Sequence, residues 1–197
     1  MINIKLNADD LGLTKRSTEC IIELLVTNKI DTASLMTNME YTNYAIELIE
    51  KNNLKDKINL HFNITQGKAL SGISSLTDSN GIMYRDNKLK LNYIDFNDIV
   101  KEFELQSSIF PYFKNIDCHN NVNFKSDKLH NFLKTKSKYI RDANNWEEFN
   151  FKSFNLSNKK NNIYCHPTYK DDLEIENLSY YNKERYLEYL ILKNISK

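Results

Sequence analysis

The chain has 197 residues, 41% of them hydrophobic and 12% aromatic, which suits one globular domain over 1–197 and argues against wholesale disorder. Lysine and arginine number 27 against 26 acids, a formal charge of +1 with no basic block, so composition gives no reason to expect nucleic acid as a partner. No apolar run approaches the ~20 residues of a membrane span, and Asp9 and Asp10 fall where a signal peptide would need its apolar core, so the expectation is a cytoplasmic chain with no membrane partner.

The first apolar run, Ile2-Asn3-Ile4-Lys5-Leu6, alternates as a strand does; Asp9-Asp10 follows it, and Gly12 marks the turn. Residues 17–28 carry Cys20, Ile21, Leu24 and Leu25 at helical spacing. A second strand is predicted over 32–36, a helix over 42–51 with Ala45, Ile46, Leu48 and Ile49 on its apolar side, and a third strand over 57–62. Residues 66–94 are rich in Ser, Asn and Gly and read as an excursion of loops with room for a hairpin. Residues 95–110 are helical, with Pro111 as a stop signal. A strand over 115–118, a helix over 126–136, strands over 137–141 and 162–165 and a closing helix over 183–194 complete the order. Strands alternating with helices predict α/β architecture with a parallel sheet, either barrel or open. In such folds the chemistry gathers at the carboxyl ends of the strands.

The reactive residues obey that rule. Carboxylates at the end of a buried strand are costly unless something positive or protic meets them, and Asp9 and Asp10 stand in that position. His61 ends one predicted strand, and His119 and His166 each follow one, so three of the chain's four histidines fall on one expected rim. One carboxylate with two or three imidazoles suits Zn²⁺ or a similar divalent ion, and a second carboxylate beside it could serve as a base. A lone strand-end histidine is more often a hydrogen-bonded structural residue; it is the clustering that points to metal. His130, inside a helix between lysines, reads as surface. Cys118 and Cys165 each precede a histidine, and successive strand residues face opposite ways, so histidines that point into a site leave the cysteines in the core. Three cysteines at wide spacing also argue against a disulfide framework.

With these residues in view, the sequence resembles the YdjC-like carbohydrate deacetylases, the family of the chitooligosaccharide deacetylase. The family opens with a strand and N-A-D-D-F-G-L-S; here it is Asn7-Ala8-Asp9-Asp10-Leu11-Gly12-Leu13-Thr14. Its histidine followed by L-N-L-T-x-G-x-P-L corresponds to His61-Phe62-Asn63-Ile64-Thr65-Gln66-Gly67-Lys68-Ala69-Leu70. A helix ending near a glutamine and then D-S-H-x-H-V-H correspond to Gln106 and Asp117-Cys118-His119-Asn120-Asn121-Val122-Asn123. The late H-P block is His166-Pro167-Thr168-Tyr169-Lys170-Asp171, followed by Ser179-Tyr180 and Glu184-Arg185-Tyr186-Leu187-Glu188.

The resemblance implies a TIM-type (β/α) barrel-like metal hydrolase that removes acetyl groups from small N-acetylated sugars. By position, Asp10, His61 and His119 would hold the ion, Mg²⁺ or Zn²⁺; Asp9 would be the base and His166 the acid that protonates the departing amine. Arg141 matches a family arginine that orients Asp9 or meets substrate, and Asn63 falls in the block expected to contact the sugar. Two departures stand out. The second and third histidines of D-S-H-x-H-V-H are Asn121 and Asn123 here, and 142–162 is short for a barrel of about 250 residues, which predicts an incomplete barrel that a homodimer would cover. They leave a second reading, a non-catalytic relative that binds carbohydrate or acts as a subunit.

Overall fold

A computed structural model describes residues 4–85, 93–137, 139–142, 144–149, 162–179 and 182–195. The predicted strand start at Ile2-Asn3, Lys138 of the predicted 137–141 strand and Tyr180 lie outside them. Among the described residues the order is β1 (Lys5–Leu11), α1 (Lys15–Val26), β2 (Thr32–Leu35), α2 (Thr42–Lys51), β3 (Ile58–Phe62), α3 (Phe96–Ile109), β4 (Asn115–Cys118), α4 (Asp127–Lys136), β5 (Tyr139–Ile140), β6 (Trp146–Glu148), β7 (Asn162–Cys165) and α5 (Asn182–Asn194). No described helix is long and apolar enough to cross a membrane.

The strands form one sheet in the order β5-β4-β3-β2-β1-β7-β6, and every pairing is parallel. Read as a circle, this is the strand order of a (β/α) barrel opened between β5 and β6. The sheet curls accordingly into an incomplete barrel.

Alternation within the strands explains which face the helices cover. Leu6, Ala8, Ala33, Leu35, Ile58, Ile163 and Cys165 join residues of α1, α2 and α5 in one buried cluster; Leu60, Phe62, Ile116 and Cys118 join α3 and α4 in another. The intervening residues are polar and bond to one another across the inner face. Asn7 Nδ2 donates to Ser34 Oγ at 2.9 Å, Asn59 Nδ2 to Asn7 Oδ1 at 3.1 Å, and Asn115 Nδ2 to Asn59 Oδ1 at 3.0 Å. A usual barrel interior is filled with branched apolar side chains. This one is a hydrogen-bonded polar ladder, and its upper rungs are the acids and histidines.

Helix starts follow local chemistry. Thr14 caps α1 in a reciprocal capping box with Ser17, Asp95 caps α3, and Ser126 caps α4. The excursion after β3 contains the expected antiparallel pairing, at Lys68–Ile82 and Thr77–Met83. Two differences from the sequence-based elements bear on the site. β1 runs on through Leu11, so Asp9 and Asp10 lie on the strand rather than after it. The short 142–162 segment also holds a strand, Trp146–Glu148, whose two acids hide it from an apolar pattern.

Candidate active site

The adjacent acids face one place because β1 is irregular there. Ala8 pairs with Ala33 and Leu11 with Leu35, so three steps along β1 oppose two along β2, and the extra residue is a bulge. Asp10 takes it up at φ 65°, a left-handed conformation that aspartate tolerates better than most residues. In a regular strand Asp9 and Asp10 would point to opposite faces. Here both side chains are buried at the rim of the inner face.

Asp10 Oδ1 lies 3.3 Å from His61 Nε2 and 3.2 Å from His119 Nδ1. Two imidazole rings meet edge to face, with centroids 5.4 Å apart. Asp10 Oδ1 is buried yet has no well-formed hydrogen bond among the described residues, and neither has His61 Nδ1. The three potential ligand atoms all lie within 4.8 Å of one another. Ligands about 2.1 Å from a common centre stand roughly 3.0–3.4 Å apart, so the two Asp10–histidine separations fit a shared cation. One carboxylate oxygen and two imidazole nitrogens are also a suitable donor set for a divalent ion with an open position. Gln66 Oε1 lies 3.0 Å from His119 Nε2, so a ring protonated there would donate to Gln66 and present its Nδ1 lone pair to an ion, the form a metal ligand requires. Burial alone would raise the Asp10 carboxyl, but the Arg185 guanidinium and the two imidazoles hold it well below the usual range.

Asp9 has a different environment. Arg141 grips it with both terminal nitrogens, Nη1 to Oδ2 at 2.5 Å and Nη2 to Oδ1 at 2.6 Å, and Asn7 Nδ2 adds a bond to Oδ1 at 2.8 Å. Burial opposes ionisation of Asp9, and Arg141 with His61 overcomes it, so the carboxyl sits below its ordinary value. Arg141 Nε lies 3.1 Å from Asp117 Oδ1. Ser34 donates a short bond to Asp117 from the other side. Burial and the Asp9 charge push Asp117 up. The Arg141 guanidinium lies over the Tyr164 ring at 4.5 Å and the Trp146 ring at 5.0 Å. His166 Nε2 is 3.8 Å from Asp9 Oδ2 and Nδ1 is 3.9 Å from Glu148 Oε1. Burial pushes the His166 imidazole down to about 4, so it is neutral near pH 7.

A cavity of about 500 Å³ opens onto Asp9, Asp10, His61, His119 and His166, and Glu148, Tyr164 and Arg85 also line it. Arg141 and Asn63 do not line it. Arg141 is committed to the two aspartates, and Asn63 is fully buried, its Nδ2 donating to Asn38 Oδ1 and the Gln66 carbonyl. Asn121 lies at the cavity, its Nδ2 3.5 Å from Tyr164 Oη, and Asn123 is buried against the Arg141 carbonyl. It is therefore His119, and neither later position, that joins Asp10 and His61. Cys118 and Cys165 are buried, and burial raises both thiols. His130 is half-buried on α4 and does not line the cavity.

Sequence reasoning gave no role to Arg185 or Glu188, yet each is buried against the site. Arg185 Nη2 donates to Asp10 Oδ2 at 2.7 Å, and Glu188 Oε2 accepts the His166 backbone N–H at 2.5 Å. A signal existed: Arg185 and Glu188 share a helical stripe with Tyr189 and Leu192, and charges on an apolar stripe need partners.

Comparison with known proteins agrees with the geometry. The YdjC-like protein family model matches residues 3–122, which include Asp9, Asp10, His61 and His119. A carbohydrate deacetylase of Clostridium beijerinckii is 27% identical over 96% of this chain and 91% of its own. One from Thermoanaerobacter pseudethanolicus is 26% identical over 94% and 88%. A chitooligosaccharide deacetylase of Yersinia pestis is 30% identical over 59% of this chain and 48% of its own. A crystal structure from Enterococcus faecalis V583, provisionally described as a cellobiose-phosphate cleavage protein, superposes with a TM-score of 0.81 at 21% identity, over 97% of this chain and 90% of that one, which speaks for the fold. A buried rim of two acids and two histidines on an opened barrel, inside a matching segment that makes up more than half the sequence, establishes that the chain belongs to the YdjC-like family.

Proposed function

We propose that this protein is a metal-dependent deacetylase that hydrolyses the acetamide of a small N-acetylated sugar. The observation that carries the reading is the convergence of Asp10 Oδ1, His61 Nε2 and His119 Nδ1, with a carboxylate and an imidazole outside the cluster but beside it. The relatives named carbohydrate and chitooligosaccharide deacetylases supply the substrate class. Asp10, His61 and His119 hold the ion, Zn²⁺ or Mg²⁺. A divalent ion so held polarises an amide carbonyl and makes a water more acidic.

The chain's own residues do the remaining work. Asp9, kept ionised by Arg141, takes a proton from the attacking water; with two donors on Oδ1 and one on Oδ2, the carboxylate retains a lone pair on Oδ2 for it. The C–N bond breaks, acetate leaves with the water oxygen, and the sugar amine needs a proton. His166 Nε2, 3.8 Å from Asp9 Oδ2, is placed to receive that proton and deliver it to the amine. Tyr164 and Glu148 form the wall against which the sugar rests.

The deciding experiment measures acetate release from N-acetylglucosamine and its short oligomers, before and after chelation and after adding back Zn²⁺ or Mg²⁺. Release that is lost with chelator and regained with metal is the expected result. Sugar binding without any acetate release, at every metal tried, would favour the non-catalytic alternative.

A further inference from the structure

We propose that Arg185 is a positioning residue that fixes Asp10 as a one-oxygen ligand; this rests on the reading of Asp10, His61 and His119 as the ion-binding set. The two buried arginine–aspartate pairs of the site differ in a way that reveals the role. Arg141 engages both oxygens of Asp9, as a guanidinium fork does when pairing is its whole task. Arg185 gives Asp10 a single nitrogen, Nη2 to Oδ2 at 2.7 Å, and sends the others elsewhere. Its Nε donates to Ser179 Oγ at 3.1 Å and its Nη1 to the His166 carbonyl at 3.4 Å. Every nitrogen of the fork therefore has an acceptor, and the one given to Asp10 goes to Oδ2 alone.

The consequence falls on Asp10. A carboxylate can approach a cation through one oxygen or both. With Oδ2 held by Arg185, the oxygen aimed at His61 and His119 is Oδ1, the one that lacks a hydrogen bond. Arg185 is itself 3% exposed, and its charge balances the buried carboxylate before any ion arrives, so the ligand is preformed rather than recruited. A lysine could satisfy Oδ2 but not Ser179 and His166 together, because it offers a point charge in place of a fork.

The test uses Co²⁺ as the probe, added to the metal-stripped full chain and followed by visible absorption, in wild type, Arg185→Met and Arg185→Lys. Losing a hydrogen-bond partner of a metal ligand typically weakens metal binding about 10–100-fold, and that loss is expected for the methionine variant. Its absorption bands should also change in position and intensity as both Asp10 oxygens become available. The lysine variant, with one charged donor for Oδ2, should return the wild-type bands, which a purely structural role needing all three contacts would not allow. Wild-type affinity and bands in Arg185→Met would overturn the proposal. Should circular dichroism show the methionine variant unfolded, the lysine variant decides: altered bands in a folded Arg185→Lys overturn it equally. Absence of Co²⁺ binding by the wild type removes the ion-binding reading itself, whereas unchanged binding in the variants removes only the role of Arg185.

Discussion

The two sides of the opened barrel contribute differently. β1 to β4 are paired in an unbroken run, buried over most of their length, and supply Asp10, His61 and His119. β5, β6 and β7 have two, three and four residues, and five residues join β5 to β6. That side supplies Arg141, Glu148, Tyr164 and His166, and α5 adds Arg185 and Glu188. Buried, continuously paired strands place backbone accurately, and they bring the three candidate ligand residues to one rim. The second side adds side-chain ties across the rim: Arg141 to Asp9 and Asp117, Arg185 to Asp10, Glu188 to His166. The segment matched by the family model, 3–122, coincides with the first side. The candidate ion ligands therefore lie on one side, and the ties that hold Asp9 and His166 come from the other.

The sharpest way to break this division is to exchange a ligand for an apolar residue on the first side and compare it with a change to Asp9. His61→Ala or His119→Ala should abolish stoichiometric metal binding and reduce turnover by on the order of 10³-fold or more, since the ion's charge stabilisation is worth several kcal/mol. Asp9→Asn, whose oxygens face Arg141 rather than the ion cluster, should keep the metal and lose about 10²–10⁴-fold in kcat. Elemental analysis beside the acetate assay separates the two. Metal loss in Asp9→Asn would erase the distinction.

A smaller effect is expected from Arg141→Lys. A lysine cannot reproduce the bidentate grip, and a slight misplacement of a reacting group costs up to about 10²-fold, so kcat should fall by roughly tenfold or more with KM nearly unchanged. A raised KM at constant kcat would place Arg141 against the sugar instead, as a substrate-binding residue.

Much of the first side is legible in the sequence. Asp9, Asp10, His61 and His119 stand at strand ends that apolar alternation reveals, and the parallel α/β reading brings strand ends to one rim. The bulge is not legible. Two adjacent aspartates give no sign that Asp10 will adopt φ 65° and turn back to the face of Asp9. The second side is harder for a physical reason: ties such as Arg185 to Asp10 span 175 positions and leave no local pattern. Gln66, whose Oε1 meets His119 Nε2, belongs to the same class, being a polar residue in a loop until the fold places it.

The last prediction concerns Glu188, the least visible of those ties. Burial raises its carboxyl from 4.5 to about 8, against the opposing pull of the His166 N–H it accepts. In the unfolded chain the group ionises near 4.5, so between that value and about 8 the folded protein holds one more proton than the unfolded one. Stability must then fall as pH rises, by up to about 1.4 kcal/mol per pH unit, with no further loss once the folded group has ionised. Below 4.5 both states are protonated and the penalty is absent. Glu188→Gln keeps an oxygen for the His166 N–H but cannot ionise, so the stability of wild type minus variant should decline steadily between about pH 5 and 8. Denaturant unfolding of both proteins across that range measures the difference directly, and groups that titrate independently of residue 188 cancel in it. A difference that stays level would mean that Glu188 ionises as an ordinary surface carboxylate does, and that α5 is not the tight brace on His166 that the second side of the barrel requires.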